Sequence, residues 1–206
     1  MVMNQIDRRV CRFEKHPSDV RVWIWLSMAG LILLFIPLRG WCEAGVYVSS
    51  ADFLKQSFDQ VPESRTLWLD EVLLKDVETI LNHPYRGLRI RYWQQGEKTA
   101  WILNEIGKDQ PITVGVVVHG GTLEHLEVLV FRESRGWEVK YPFFTEQFRG
   151  AGLDNDLELS RNIDGISGAT LSVRALTRIA RLSLLLHQST GKTETDPEVR
   201  TVQADN

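Results

Sequence analysis

The residues best equipped for chemistry are Asp164-Gly165-Ile166-Ser167-Gly168-Ala169-Thr170 (DGISGAT). Two glycines let a backbone turn sharply and come close to a ligand. The segment runs directly into Leu171–His187, whose spacing predicts a helix: Leu171, Ala175, Ile179, Leu182 and Leu186 form its buried stripe, and Arg174, Arg178 and Arg181 another, read as a solvated face. The start of a helix carries N–H groups without intrahelical partners and the positive end of the helix dipole, which together suit an anion such as a phosphate. Thr170 stands at that start with a hydroxyl that can be esterified, and Arg174 follows one turn later. These residues point to a phosphate-bearing group at a strand–turn–helix junction without saying which group. The plain structural alternative is a turn in which Ser167 or Thr170 only caps the helix.

Other chemistries find little support. No Ser-His-Asp, Cys-His or paired-carboxylate arrangement stands out, and no Rossmann glycine fingerprint appears. The five histidines are scattered; His119 and His125 are the closest pair, and their spacing fits no zinc motif. Both cysteines, Cys11 and Cys42, precede Glu43, so the main body holds neither a disulfide nor a cysteine cluster, as an oxidising compartment would favour. A formal net charge of -3, with no basic stripe, argues against a nucleic-acid partner.

The elements that must position DGISGAT follow from periodicity. Ser49 or Ser50 is expected to cap a helix through Phe58, and Leu67–Leu81 repeats apolar residues at helical spacing until His83-Pro84 stops it. Leu88–Gln94, Thr99–Ile106, Ile112–Val118 and Leu123–Phe131 read as strands, with Gly120-Gly121 as a hairpin turn. In the last strand Leu126, Val128 and Val130 are expected on one face, with Glu127 and Leu129 on the other. An irregular aromatic-rich connection follows, then a short strand over Leu157–Ile163. From Gln188 to Asn206 the composition is polar and acidic, as in a disordered tail. The expected fold is α+β: an antiparallel sheet of about four to five strands with packed helices, spanning residues 46–187.

Residues 1–21 form a leader carrying Arg8, Arg9, Arg12, Lys15 and Arg21, and Val22–Leu38 is an uncharged apolar run. Its length suits a short membrane-spanning helix or a signal-segment core. By the positive-inside rule the leader stays in the cytoplasm and the rest crosses the membrane. Two outcomes stay open: an inner-membrane anchor with the domain in the periplasm, or cleavage after Ala44 and a periplasmic protein.

DGISGAT also resembles the flavinylation motif of the FMN-binding domain family, found in the C subunit of the sodium-translocating NADH:quinone reductase, in the G subunit of the Rnf complex and in single-domain relatives. Gly120-Gly121, the strand Leu123–Phe131 and then Glu133-Ser134 are similar to the family's turn, strand and Glu-Thr segment. Arg135-Gly136-Trp137 departs from it, standing where the family commonly has Pro-Gly-Leu-Gly. The resemblance covers about Gly87 to His187. It implies FMN joined covalently through its phosphate to Thr170 by a magnesium-dependent flavin transferase that uses FAD. Asp164, Gly165, Ser167, Gly168 and Ala169 complete the motif, and Glu133 and Ser134 contribute to the flavin pocket. Trp137, Tyr141, Phe143 and Phe144 are candidates either for the flavin ring or for the core. The implied protein is an exported, membrane-associated electron carrier that serves membrane redox partners, rather than a stand-alone catalyst. The alternative is a non-flavinylated exported small-ligand-binding or structural subunit of a membrane complex.

Overall fold

The computed structural model describes residues 45–195. Its elements run β1 (Gly45–Val46), α1 (Ser50–Ser57), β2 (Ser64–Trp68), α2 (Glu71–Leu81), β3 (Arg89–Gln95), β4 (Lys98–Ile106), β5 (Pro111–His119), β6 (Thr122–Phe131), a 3-10 turn (Trp137–Lys140), α3 (Pro142–Thr145), a second 3-10 turn (Glu146–Phe148) and α4 (Thr170–Thr195). The strands form one sheet in the order β1-β6-β5-β4-β3-β2, and every neighbouring pair is antiparallel. The fold is therefore α+β.

Strand β5 shows why the sheet has helices on both faces. Ile112, Val114, Val116 and Val118 join the larger core with residues of α2 and α4, while Val117 joins the smaller core with Phe53, Leu54 and Phe58 of the α1 segment. A strand buried on both faces reads as a continuous apolar run, as this one does. Gly115 belongs to the second face: a Cβ there would lie 2.7 Å from the Phe53 ring, so only glycine admits that ring. Between β5 and β6, Gly120 and Gly121 have φ of 57° and 77°, the two left-handed central residues that a tight two-residue hairpin demands.

Local caps set the helix starts. Ser49 Oγ accepts from the Asp52 N–H at 3.1 Å, and Asp70 Oδ1 accepts from the Leu73 N–H at 2.7 Å. Asn82, with φ 59°, ends α2 in the left-handed conformation that asparagine tolerates.

Several expectations are corrected. The sheet has six strands rather than four or five, because β1 and β2 join it. Leu67 and Trp68 belong to β2, paired with Ile90 and Arg89, so the helix expected from Leu67 begins only at Glu71. Leu157–Ile163 is no strand; only Leu159 bridges, to Leu153. The alternation in β6 is broken by irregularities opposite Thr113/Val114 and Val117/Val118. Because Leu129 is an extra residue there, Val130 packs against the smaller core, away from Leu126 and Val128. The last helix starts at Thr170 and runs to Thr195, past the boundary placed at His187, with Thr190 buried. Among the described residues no helix is long and apolar enough to cross a membrane. The apolar run Val22–Leu38, its leader and residues 196–206 lie outside the described residues.

Candidate functional site

DGISGAT is built as a loop whose apolar residues hold it down and whose polar residues face out. Ile163 and Ile166 pack against the larger core and Ala169 is buried within it, whereas Asp164, Gly165, Ser167, Gly168 and Thr170 are exposed. The Ala169 N–H donates to the Ile166 carbonyl at 3.0 Å, closing a turn through Ser167 and Gly168. Gly168 has φ 83° in that turn, the position where a type II turn favours glycine. Gly165 has no such backbone requirement, and a Cβ on either glycine would meet nothing within 4 Å. The space before the loop is open, as a group of phosphate size requires.

The first α4 backbone bond runs from the Val173 N–H to the Ala169 carbonyl, 2.9 Å. The N–H groups of Thr170, Leu171 and Ser172 therefore stand ahead of the intrahelical ladder, at the positive end of a 26-residue helix. Neither Ser167 nor Thr170 makes a side-chain hydrogen bond to a helix N–H among the described residues. That contrasts with Ser49 and Asp70, which cap their helices through their side chains. Thr170 thus presents an uncommitted hydroxyl at an anion-favouring helix start. A phosphate-bearing group fits these features: an open approach, an exposed hydroxyl and nearby backbone donors.

The loop before the motif is tied from two sides. Gln147 Oε1 accepts from the Asp164 backbone N–H at 2.8 Å, and Arg161 donates to the carbonyls of Gln147 and Arg149 at 3.3 and 2.7 Å. The Asp164 side chain takes no part in this anchoring. Gln147 and Arg161 are positioning residues missed by sequence reasoning, since a half-buried Gln and an exposed Arg carry no signal without their distant partners.

Glu133 and Ser134 lie in the chain leading to the same helix start. At Gly136, φ 82°, a Cβ would stand 2.6 Å from Ser172 Oγ and 3.4 Å from the Ala169 Cβ. The segment after β6 therefore abuts the first turn of α4. Glu133 itself has a visible structural duty. Its Oε1 accepts from the backbone N–H groups of Lys108, Asp109 and Gln110, at 2.5, 2.7 and 2.9 Å, and clamps the β4–β5 turn. Desolvation pushes its carboxyl up, but those three donors and the Lys108 charge together outweigh it and hold the carboxyl below its ordinary value. Ser134 is exposed. Among the aromatic candidates, Phe144 is a core residue packed edge-on against Phe148 at 5.5 Å, whereas Trp137, Tyr141 and Phe143 are exposed.

The arginine stripe of α4 is not uniformly solvated, contrary to expectation. Arg178 pairs with the buried Glu105 at 3.0 Å, beside His83 at 3.1 Å from the same carboxylate. Arg181 pairs with Glu158 at 2.9 Å and donates from Nε to the Leu157 carbonyl. Arg174, nearest Thr170, is exposed. His119 lies 3.4 Å from Glu124 and His125 3.7 Å from Glu127, and no group of three or more metal-type side chains gathers among the described residues.

The arrangement defines a class: a small α+β domain with an exposed threonine at the start of the longest helix among the described residues. A comparison with family models adds to this. Residues 107–184 match the family model of the FMN-binding domain, and that likeness supports FMN as the cofactor. The matched segment holds β5, β6, the aromatic connection, all of DGISGAT and most of α4. A comparison with curated proteins finds no match.

Proposed function

We propose that this protein is an exported, membrane-held electron carrier whose FMN is joined by a phosphoester to Thr170. The observation that carries the reading is Thr170 itself: exposed, the first residue of α4, free of capping duty, and last in a motif lying inside the segment that matches the FMN-binding domain. FMN supplies one- or two-electron redox chemistry, while the protein fixes its position and tunes its potential.

Attachment uses FAD, in which FMN and AMP share a pyrophosphate. Thr170 Oγ attacks the phosphorus on the FMN side, the pyrophosphate P–O bond breaks, AMP departs, and the hydroxyl proton is lost to a base or to solvent. No electrons change hands in this step. A magnesium-dependent flavin transferase performs it, with the exposed Asp164 as a recognition handle rather than a structural one. A covalent tether suits a domain outside the cytoplasm, where lost FMN is not replaced. The arginine-rich leader and the apolar Val22–Leu38 run support that location. Membrane redox proteins are the electron donor and acceptor.

The test uses the full chain co-expressed with a flavin transferase, in membranes. Addition of an electron donor should bleach the flavin band at about 450 nm, the cofactor's own absorption, and a downstream acceptor should restore it, whereas NADH alone reduces the purified protein slowly. Rapid repeated turnover of the purified protein with NADH and a small soluble substrate would make it an enzyme in its own right and end the carrier reading.

A further inference from the structure

Beside the start of α4, side chains from two distant stretches of chain meet at the surface. Tyr47 follows β1, and Trp137, Lys140, Tyr141 and Phe143 come from the connection after β6. Lys140 Nζ lies 3.8 Å from the centroid of the Tyr47 ring, 5.2 Å from that of Tyr141 and 5.6 Å from that of Trp137. Trp137 meets Tyr141 edge-on at 5.6 Å, and Tyr141 stacks with Phe143 at 6.3 Å. These rings are not core: Tyr47 is 44% exposed, Trp137 44%, Tyr141 41% and Phe143 64%. A contiguous cluster of exposed rings on a small domain marks a surface that something covers.

Composition and chain geometry together indicate what covers it. Tryptophan and tyrosine with an adjoining lysine are the residues of the membrane–water boundary: the rings occupy the headgroup level and the ammonium reaches lipid phosphates. Tyr47 comes nine residues after Leu38, the end of the uncharged Val22–Leu38 run. Nine residues extend at most about 30 Å. If that run sits in the bilayer, Tyr47, one of the four rings, lies within about 30 Å of it. The same patch adjoins Thr170, because Gly136, which precedes Trp137, packs against Ala169 and Ser172.

We infer that this face rests on the lipid headgroups of the membrane that holds the chain, with Trp137, Tyr141, Phe143 and Tyr47 at the boundary and Lys140 paired to lipid phosphate. The inference rests on the anchoring read from the N-terminal run and adds to it an orientation: the helix start that carries Thr170 is turned toward the bilayer. A flavin there is held near membrane-embedded redox partners.

The test uses the full chain with Cys11→Ser and Cys42→Ser, labelled with an environment-sensitive fluorophore at Phe143→Cys. It is reconstituted in phosphatidylcholine–phosphatidylglycerol vesicles that contain nitroxide-headgroup lipid. A second protein is labelled at Val72→Cys, an exposed site beside Leu185 and Ser189, some 13 to 17 residues along α4 from Ser172, about 20–25 Å away. The label at 143 should lose most of its emission to the nitroxide lipid, and the label at 72 should keep its own. Vesicle flotation separates the two ideas involved. Protein that floats with an unquenched label at 143, or with both labels quenched equally, overturns the orientation and leaves the anchoring intact. A label at 143 that iodide cannot reach and lipid does not quench also overturns it, and assigns the patch to a protein or cofactor. Protein that does not float removes the anchoring and the orientation with it.

Discussion

At the scale of single residues, Thr170 and Asp164 share a property that separates chemistry from scaffolding: neither side chain holds the fold. Thr170 Oγ makes no side-chain cap, and the anchoring of Asp164 runs through its backbone N–H to Gln147. Asp164→Ala should therefore fold normally, with a stability change within about 0.5 kcal/mol, while its flavin content falls after co-expression with a transferase. Full labelling of a stoichiometric Asp164→Ala sample would show the acid to be dispensable. Glu133 is the opposite case. Three backbone donors converge on one of its oxygens, so Glu133→Ala should loosen the β4–β5 turn and lower the melting temperature whether or not flavin is attached. A melting temperature equal to that of the native protein would remove the clamp role.

At the scale of elements, the join between the post-β6 segment and the α4 start is set by Gly136. Its left-handed φ of 82° and the Ser172 Oγ 2.6 Å from a Cβ leave no comfortable place for a side chain. Gly136→Ala should cost at least about 1 kcal/mol from backbone conformation alone, read by denaturant unfolding; an unchanged midpoint would show that the join is loose. Two histidines report on other joins. His83 is pushed above its ordinary value, first by its hydrogen bond to the Pro84 carbonyl and next by that to Glu105. His187 is pushed below its ordinary value chiefly by burial. The geometry is compatible with this: the Trp101 indole N–H donates to Thr99 Oγ1 at 2.9 Å, and Thr99 Oγ1 lies 2.8 Å from His187 Nδ1, a contact that a neutral ring can make. The signs are opposite. The raised group lends stability that is complete below the unfolded value near 6.5 and is lost as pH rises through the folded value. The lowered group lends stability present above 6.5 and lost as pH falls through the folded value. NMR titration should place His83 above 6.5 and His187 below it, and the reverse order would contradict both environments. What was legible in the sequence at this scale was the periodic part. The apolar run of β5, the paired glycines of its hairpin and the α4 stripe from Ala175 to Leu186 were each visible, whereas Leu171, expected in that stripe, is exposed at the helix start. Edge strands β1 and β2 were not, because a two-residue strand has no period and Leu67-Trp68 fits a helical and a strand pattern equally well. The irregularities in β6 and the non-strand Leu157–Ile163 depend on partners far along the chain, which no local pattern encodes.

At the scale of the whole molecule, the motif was legible as a local pattern, whereas the surroundings that hold it were not. Seven consecutive residues carry the motif, so its recognition needed no tertiary information. By contrast, the neighbours that hold it, Gln147, Arg161 and Gly136, are 17, 3 and 28 residues away from Asp164 in sequence, and only the folded chain assembles them. The proposed location is a property of the entire chain as well: a reporter active only after export, fused after Asn206, should be active, and activity from a cytoplasm-only reporter at the same place would contradict export while leaving flavin attachment untouched. The most direct measurement of the central claim is the mass of the full chain after co-expression with a flavin transferase and complete denaturation. The native sequence should be heavier by one FMN less one water, with the addition mapped to the peptide containing Thr170. Thr170→Ser should keep some of it, and Thr170→Ala should have none while remaining folded. Unmodified native protein from a host in which a known flavinylated domain is labelled, or an FMN adduct that survives in Thr170→Ala, would contradict attachment at Thr170.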